Sequence, residues 1–378
     1  MDTQRSGTLC RLGRTVAIGA AVLAAACGAG GRTQAQQRLN IDPSSVSVSG
    51  VSSGADLAHQ LHVAYSSKIH GAGLIAASPY HCARNDANTA LQYCSNTGAA
   101  FGLPYTGPPS EAHLDTLLRD TATAFGNGEI DDPAGVRSAR VYLFSGTRDS
   151  KVPQAVVKTV EAYYQKLGVD RANLATRYDV PTGHGMVTRD YGNSCETSDS
   201  PYLNKCGVDA AGELLRHIHG ALAAPGSAVA ASLTTFDQSA FFAGGAAADM
   251  DDRGHVYLPA ACAAGARCRL HVAVAGCAQN EDLIGDAFYA HAGYNEWAET
   301  NNIVVVYPQV KGAADNPYDC WDWWGYSGAD YHTRSGKQVA AVARMVVSLV
   351  AGNPLPAAGR FDRCLAWGWL YVMCKWLD

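Results

Sequence analysis

Val46 and Val48 alternate with the small polar residues Ser45, Ser47 and Ser49, the period-two pattern of a short strand. Only Gly50, Val51 and Ser52 separate it from a helical run over Ser53 to Ala64, so the pattern predicts strand, tight turn and helix with a serine at the turn. Gly71 to Ala77 is an apolar run that ends in Ser78-Pro79-Tyr80, and Val141 to Gly146 reads as a strand covered on both faces. Residues 82–110, rich in Asn, Gly, Thr and Pro, read as a surface excursion. Helices are expected over Glu111 to Phe125, Gln154 to Leu167 and Asp209 to His219, with a strand over Leu174 to Val180. The last third offers strands over Gly254 to Pro259, Arg269 to Ala275 and Ile303 to Pro308. A helix from Tyr289 to Thr300 lies between the last two, and an apolar helix from Ser335 to Val350 stops before Gly352 and Pro354.

Strands alternating with helices predict an α/β fold with a mostly parallel central sheet. Too few residues precede the serine strand to supply its neighbours on both sides. The late strands are the missing set, so the chain reads as circularly permuted, with the natural beginning of the domain in its C-terminal third. Neither half holds a complete sheet, which favours one catalytic domain over residues 41–353 rather than two.

The ends read differently. Arg5, Arg11 and Arg14 precede an apolar run from Val16 to Ala26 that is too short for a transmembrane anchor, so residues 1–26 form a signal peptide of a secreted protein. Ala24-Ala25-Ala26-Cys27 suits either cleavage near Ala26 or lipid attachment at Cys27. Residues 27–40 are a flexible leader. Residues 354–378 are a Trp-rich tail that docks on the body, holds an insoluble surface, or is closed as a loop by Cys364 and Cys374.

Composition narrows the partners. Charged residues are 17% of the chain against about 25% in an average soluble protein, and the net charge is -5. With no cluster of Arg or Lys to neutralise phosphates, nucleic acid and anionic membrane surfaces are poor partners and none is expected. A monomer beside an uncharged substrate is expected. The twelve cysteines include short local pairs, Cys82 with Cys94, Cys195 with Cys206 and Cys262 with Cys268, and further Cys277 with Cys320 and Cys364 with Cys374. They read as disulfides of an oxidising compartment. Zinc is the alternative, but no C-x-x-C is present, and no metal or other cofactor is expected.

Gly50-Val51-Ser52-Ser53-Gly54 fits the G-x-S-x-G nucleophile elbow in its strand-turn-helix setting. Asp149 and His184 also follow strands, and the order serine, aspartate, histidine belongs to hydrolases with this elbow. In an open parallel sheet the carboxyl ends of the strands share one crevice, where Ser52, Asp149 and His184 can meet. Ser53, after the nucleophile, supplies one amide for an oxyanion, and Cys277, in the Gly276-Cys277 turn after a late strand, supplies the second. Trp321, Trp323, Trp324 and Tyr326 crowd one short segment, either as aromatic walls of a binding cleft or as a buried loop cluster. A disulfide from Cys320 to Cys277 would hold that segment against the oxyanion turn in either case.

The run from Ser45 to Ala83 closely resembles the catalytic domain of poly(3-hydroxybutyrate) depolymerases. So do Ser145-Gly146 with Asp149 and Val152, Gly183-His184, Ser200-Pro201-Tyr202, Tyr257-Leu258-Pro259, Gly276-Cys277-Ala278-Gln279, Tyr294 to Ala298 and Cys320-Trp321-Asp322-Trp323. The likeness is to the circularly permuted members. It implies an α/β-hydrolase domain, a Ser52, His184, Asp149 triad, Ser53 and Cys277 amides for the oxyanion, and no cofactor. It also implies a crevice for one polyester chain with Trp321 beside the bound monomers. Two departures stand out: Ala275 replaces the histidine usual before Gly-Cys, and the Trp-rich tail stands where many members carry a linker and a polymer-binding domain. The expected activity is hydrolysis of poly(3-hydroxybutyrate) or related short-chain polyhydroxyalkanoates. A carboxylesterase for small acyl or feruloyl esters, and a non-catalytic surface adhesion protein, are the alternatives.

Overall fold

The computed structural model describes residues 38–243 and 249–358. The expected signal peptide and most of the expected leader, Cys10, Cys27, the pair Cys364 and Cys374 and the tryptophans of the C-terminal segment lie outside those residues. Strand β1 (Asn40–Val51) runs through the middle of an eight-stranded sheet, with β2 (Gly71–Ile75), β3 (Arg140–Phe144) and β4 (Leu174–Arg177) on one side. The short strands β5 (Met186–Thr188), β6 (Asn193–Ser194) and β7 (Leu203–Lys205) form a separate three-stranded sheet. Strands β8 (Leu233–Asp237), β9 (Arg253–Tyr257), β10 (Arg267–Val274) and β11 (Ile303–Tyr307) complete the main sheet in the order β4-β3-β2-β1-β10-β11-β9-β8. All pairings are parallel except those of β9, which is antiparallel to β11 and β8.

The late strands do fold back beside the early serine strand. β10 pairs with β1 from Val46 with Leu270 to Gly50 with Val274, and β2 pairs on the other side. Numbered from β8, the order across the sheet becomes first, second, fourth, third, fifth, sixth, seventh, eighth, with the serine strand fifth. Leu39 N donates to Gly352 O at 3.1 Å, so the two ends of this rearranged chain adjoin.

From Val46 onward both faces of β1 are buried, although the sequence there alternates apolar and polar. Val46 and Val48 enter the apolar core on one face. On the other, Ser47 Oγ and Ser49 Oγ meet His271 Nδ1 and Nε2 at 2.8 and 2.7 Å, and Ser49 Oγ meets Tyr294 Oη at 2.8 Å. The serines are therefore satisfied by a buried imidazole rather than by water. The helix Ser53–Ala64 packs against β1, β2 and the helix Lys337–Val350, and all of its residues are buried. Each Leu or Val it buries contributes roughly 1.5–3 kcal/mol. The helices Ala210–His219 and Tyr294–Asn301 pack against each other.

Most predicted elements appear within a residue or two of their expected bounds. The helix expected over Tyr289 to Thr300 is two, Ala287–His291 and Tyr294–Asn301, because Gly293 turns left-handed at φ 93°. Strand β8 was not expected: of its residues only Phe236 is buried, so it carries no alternating signal. Four of the paired cysteines' expectations hold, with disulfides Cys82–Cys94, Cys195–Cys206, Cys262–Cys268 and Cys277–Cys320.

Candidate active site

Ser52 sits at the carboxyl end of β1 with φ 56° and ψ -130°, a strained conformation for a residue with a Cβ. The turn is tight enough to require glycine at both flanks: a Cβ on Gly50 would lie 2.2 Å from Gly54 O, and one on Gly54 would lie 2.2 Å from Ala275 O. The second contact is with the end of β10, so the helix start and the late strand touch through a residue without a side chain. Ser52 N donates to Ile75 O at the end of β2, which fixes the turn from the other side.

Asp149 and His184 arrive from loops after β3 and β4. His184 Nδ1 and Asp149 Oδ2 are 2.8 Å apart, and both side chains are buried. Asp149 Oδ1 accepts from the amides of Lys151 and Val152, each at 2.9 Å, so the carboxylate is aimed before the imidazole meets it. The loop of His184 is braced by β5, β6 and β7 and by Cys195–Cys206. Ser198 Oγ accepts from His184 N at 2.8 Å, and a Cβ on Gly183 would collide with Thr197 O at 2.4 Å. Ser52 and His184 line one cavity, but the Ser52 hydroxyl makes no hydrogen bond to any described residue. Nucleophile and base contacts of this kind commonly tighten on substrate binding.

The two candidate oxyanion donors also converge. A Cβ on Gly276 would lie 3.1 Å from Ser52 Cβ, so the turn after β10 stands directly against the serine. Neither the Ser53 nor the Cys277 amide donates to an acceptor among the described residues. The disulfide sulfur of Cys277 lies 3.2 Å from Ser53 Oγ, and that hydroxyl oxygen accepts from Trp321 N at 3.3 Å. Gln279 ties this turn to the histidine loop: its Oε1 accepts from Gly276 N at 2.7 Å and its Nε2 donates to Pro201 O at 2.9 Å. Cys277–Cys320 joins the same turn to the tryptophan segment.

The cavity, about 800 Å³, is lined by Ser52, Ser53, His184, Cys277, Trp323 and Trp324 among others. Trp321 is corrected from a wall residue to a buried one: it has no exposure, and its Nε1 donates to Ala275 O at 3.0 Å. Tyr326 does not line the cavity either: it is half-buried, packs against Trp324, and its hydroxyl donates to Cys320 O at 2.7 Å. Asp322 organises the segment, since its carboxylate accepts from the amides of Trp324, Gly325, Tyr326 and Ser327 and from the Ser327 hydroxyl. Sequence reasoning missed the opposite wall. Residues of the excursion tied by Cys82–Cys94, including Leu91 and Phe101, line the cavity, and Phe101 is exposed at its edge. The signal was present in that apolar side chains interrupt an otherwise polar loop. Asp56, one turn beyond Ser52, also lines the cavity and was missed. Its carboxyl is pushed up to about 7 by burial, against the lowering effect of its hydrogen bonds from Ser78. Among the described residues no group of three His, Cys, Asp or Glu could hold a metal ion.

Comparison with known proteins gives a consistent picture. No protein-family model matches the chain. A poly(3-hydroxybutyrate) depolymerase of Delftia acidovorans is 39% identical over 382 aligned residues, covering 95% of this chain and 74% of that protein. A polyhydroxybutyrate depolymerase of Talaromyces funiculosus is 36% identical, covering 89% of this chain and 96% of that one. Among solved structures, a PHB depolymerase from Penicillium funiculosum superposes with TM-score 0.74 at 33% identity, over 84% of this chain and 99% of that chain. A PHB depolymerase complexed with an R3HB trimer gives the same values.

Proposed function

The chain belongs to the poly(3-hydroxybutyrate) depolymerase family, and from that membership we propose that it hydrolyses the ester bonds of poly(3-hydroxybutyrate) or related short-chain polyhydroxyalkanoates through an acyl-enzyme. The observation that carries the reading is the meeting of a strained serine, an aspartate-bound histidine and two unclaimed amides at one cavity. His184 takes the proton of Ser52 as its oxygen attacks the ester carbonyl, and Asp149 holds the imidazole tautomer and steadies the imidazolium. The amides of Ser53 and Cys277 receive the oxyanion. His184 then protonates the leaving 3-hydroxyl group, and water repeats the sequence to release the acid. Trp323 and Trp324 offer apolar faces to the methyl-bearing chain, while Trp321 acts from behind.

The reading extends to a secreted monomer whose catalytic domain spans residues 41–353, with Cys27 as the point of lipid attachment if the leader is processed as a lipoprotein. Four disulfides among the described residues support an oxidising compartment. Intact mass of the exported protein separates a free from a lipidated N-terminus.

The deciding experiment is clearing of a poly(3-hydroxybutyrate) film by wild type and Ser52→Ala in parallel. Wild type releases monomer or short oligomers, and the variant loses roughly 10³-fold or more while still folding. A film left intact by wild type, with soluble butyrate esters cleaved, returns the protein to the small-ester alternative.

A further inference from the structure

Asp56 is a carboxyl that the triad does not use. It is 9% exposed and lies in the helix that starts behind Ser52. Its Oδ1 accepts from Ser78 N at 2.8 Å and from Ser78 Oγ at 2.9 Å. Its Oδ2 meets no protein donor, is not among the sealed orphan atoms, and so opens on the cavity that the residue lines. Ser78 follows β2, whereas Cys277 follows β10, and these strands flank β1 on opposite sides. Asp56 therefore stands across Ser52 from the oxyanion turn.

The chemistry of the substrate decides what such a group can do. A polyester of 3-hydroxybutyrate presents ester oxygens along its length, all acceptors, with a donor only at its hydroxyl end. An ionised Oδ2 facing that chain in a water-depleted cleft would be both unpaired and repelled. A neutral carboxylic acid has its proton on Oδ2, because Oδ1 is already occupied by two donors, and it then matches an acceptor-only chain. Resting on the depolymerase reading above, we propose that Asp56 is a substrate-binding residue that meets the polyester as a neutral acid and donates from Oδ2 to an ester carbonyl other than the one under attack.

Burial supports this by raising the carboxyl to about 7, so the acid form is available at neutrality. The ionisable groups facing it are His184 across the cavity, whose charge opposes that rise, and Tyr331 from the segment before the last helix. Lys151 lines the same cavity, and His59 lies one turn further along the helix of Asp56. His59 is kept neutral by burial and sets no charge against the carboxyl near pH 7.

The test is the pH dependence of kcat and KM for a methyl ester of a 3-hydroxybutyrate trimer, from roughly pH 6 to roughly pH 9, in wild type, Asp56→Asn and Asp56→Ala. In wild type KM rises about tenfold across the alkaline half while kcat changes little. Asp56→Asn keeps a donor that cannot ionise and retains an acceptor for Ser78, so its KM is independent of pH. Asp56→Ala shows a KM raised about tenfold throughout. A wild-type KM that is flat with pH, an alkaline rise that persists in Asp56→Asn, or an Asp56→Ala profile equal to wild type overturns the proposal. Wild type failing to cleave the trimer at all overturns the parent reading instead, so the two failures are distinct.

Discussion

The indole Nε1 of Trp321 donates to the carbonyl oxygen of Ala275 at 3.0 Å, and neither group has another route to water. Ala275 is the residue before the Gly276-Cys277 turn, so the tryptophan acts as a brace behind the candidate oxyanion donor rather than as a surface for substrate. The same residue's amide donates to Ser53 Oγ, and its neighbour Cys320 is bonded to Cys277. One segment thus fixes both candidate oxyanion amides.

Trp321→Phe removes the indole donor and leaves Ala275 O buried without a partner. The expected cost is about 1–3 kcal/mol of stability. Hydrolysis of a soluble trimer falls mainly in kcat, whereas Trp323→Ala and Trp324→Ala act mainly on KM. Melting curves and steady-state kinetics on the three variants check this division.

Asp149→Asn leaves His184 near an amide that cannot steady an imidazolium and that favours the wrong tautomer. The expected loss in kcat is roughly 10³- to 10⁴-fold, with folding retained. Because Lys151 N and Val152 N still find Oδ1, the loop keeps its shape, and a far-UV spectrum like that of wild type accompanies the loss.

Replacing Cys277 and Cys320 together by Ala keeps the backbone amide but frees the turn from the tryptophan segment. About 2–4 kcal/mol of stability is lost. The kcat for ester cleavage falls more than its KM rises, because the oxyanion is held only in the transition state. Denaturant unfolding and kinetics on the double variant give both numbers.

Buried imidazoles set an acid limit. Burial lowers His59 to about 4, and His62 and His332 to about 3. Between those values and the unfolded value near 6.5 the unfolded chain binds more protons, so stability that is complete above about pH 6.5 is lost as pH falls toward 3. Asp56 works the other way: with its folded value raised to about 7, it favours the folded state most at low pH and loses that contribution as pH rises from 3.8 toward 7. Three histidines outweigh one carboxyl. The melting temperature is expected to fall on the order of 10 °C between pH 7 and pH 4, and less steeply in His62→Gln, by scanning calorimetry.

Much of this arrangement was legible in the sequence because its determinants are local. Gly50 and Gly54 announce the turn that their missing side chains permit, and the apolar runs of β2, β3, β10 and β11 announce a covered parallel sheet. That the late strands complete the sheet beside β1 followed from counting which neighbours the serine strand lacked, although which of them pairs with it did not. What was not legible depends on contacts between distant segments. The polar positions Ser47 and Ser49 look solvent-facing until His271 is brought across from β10, and β5, β6 and β7 are too short to leave a period. Trp321 and Trp324 cannot be told apart by type or spacing, and only the partner Ala275 O decides which one faces inward. Asp56 was hidden in a helix whose other residues read as packing.

The bond from Leu39 N to Gly352 O means that the order of segments along the gene is separable from the order in space. A short splice between residues 352 and 39, with new termini opened in the exposed stretch near Ser227, would give a message that starts at β8 and reaches the nucleophile in the middle. Such a reordered enzyme would be synthesised with half of its sheet available before Ser52 emerges from the ribosome, whereas the native order makes the serine strand wait for a neighbour translated more than two hundred codons later.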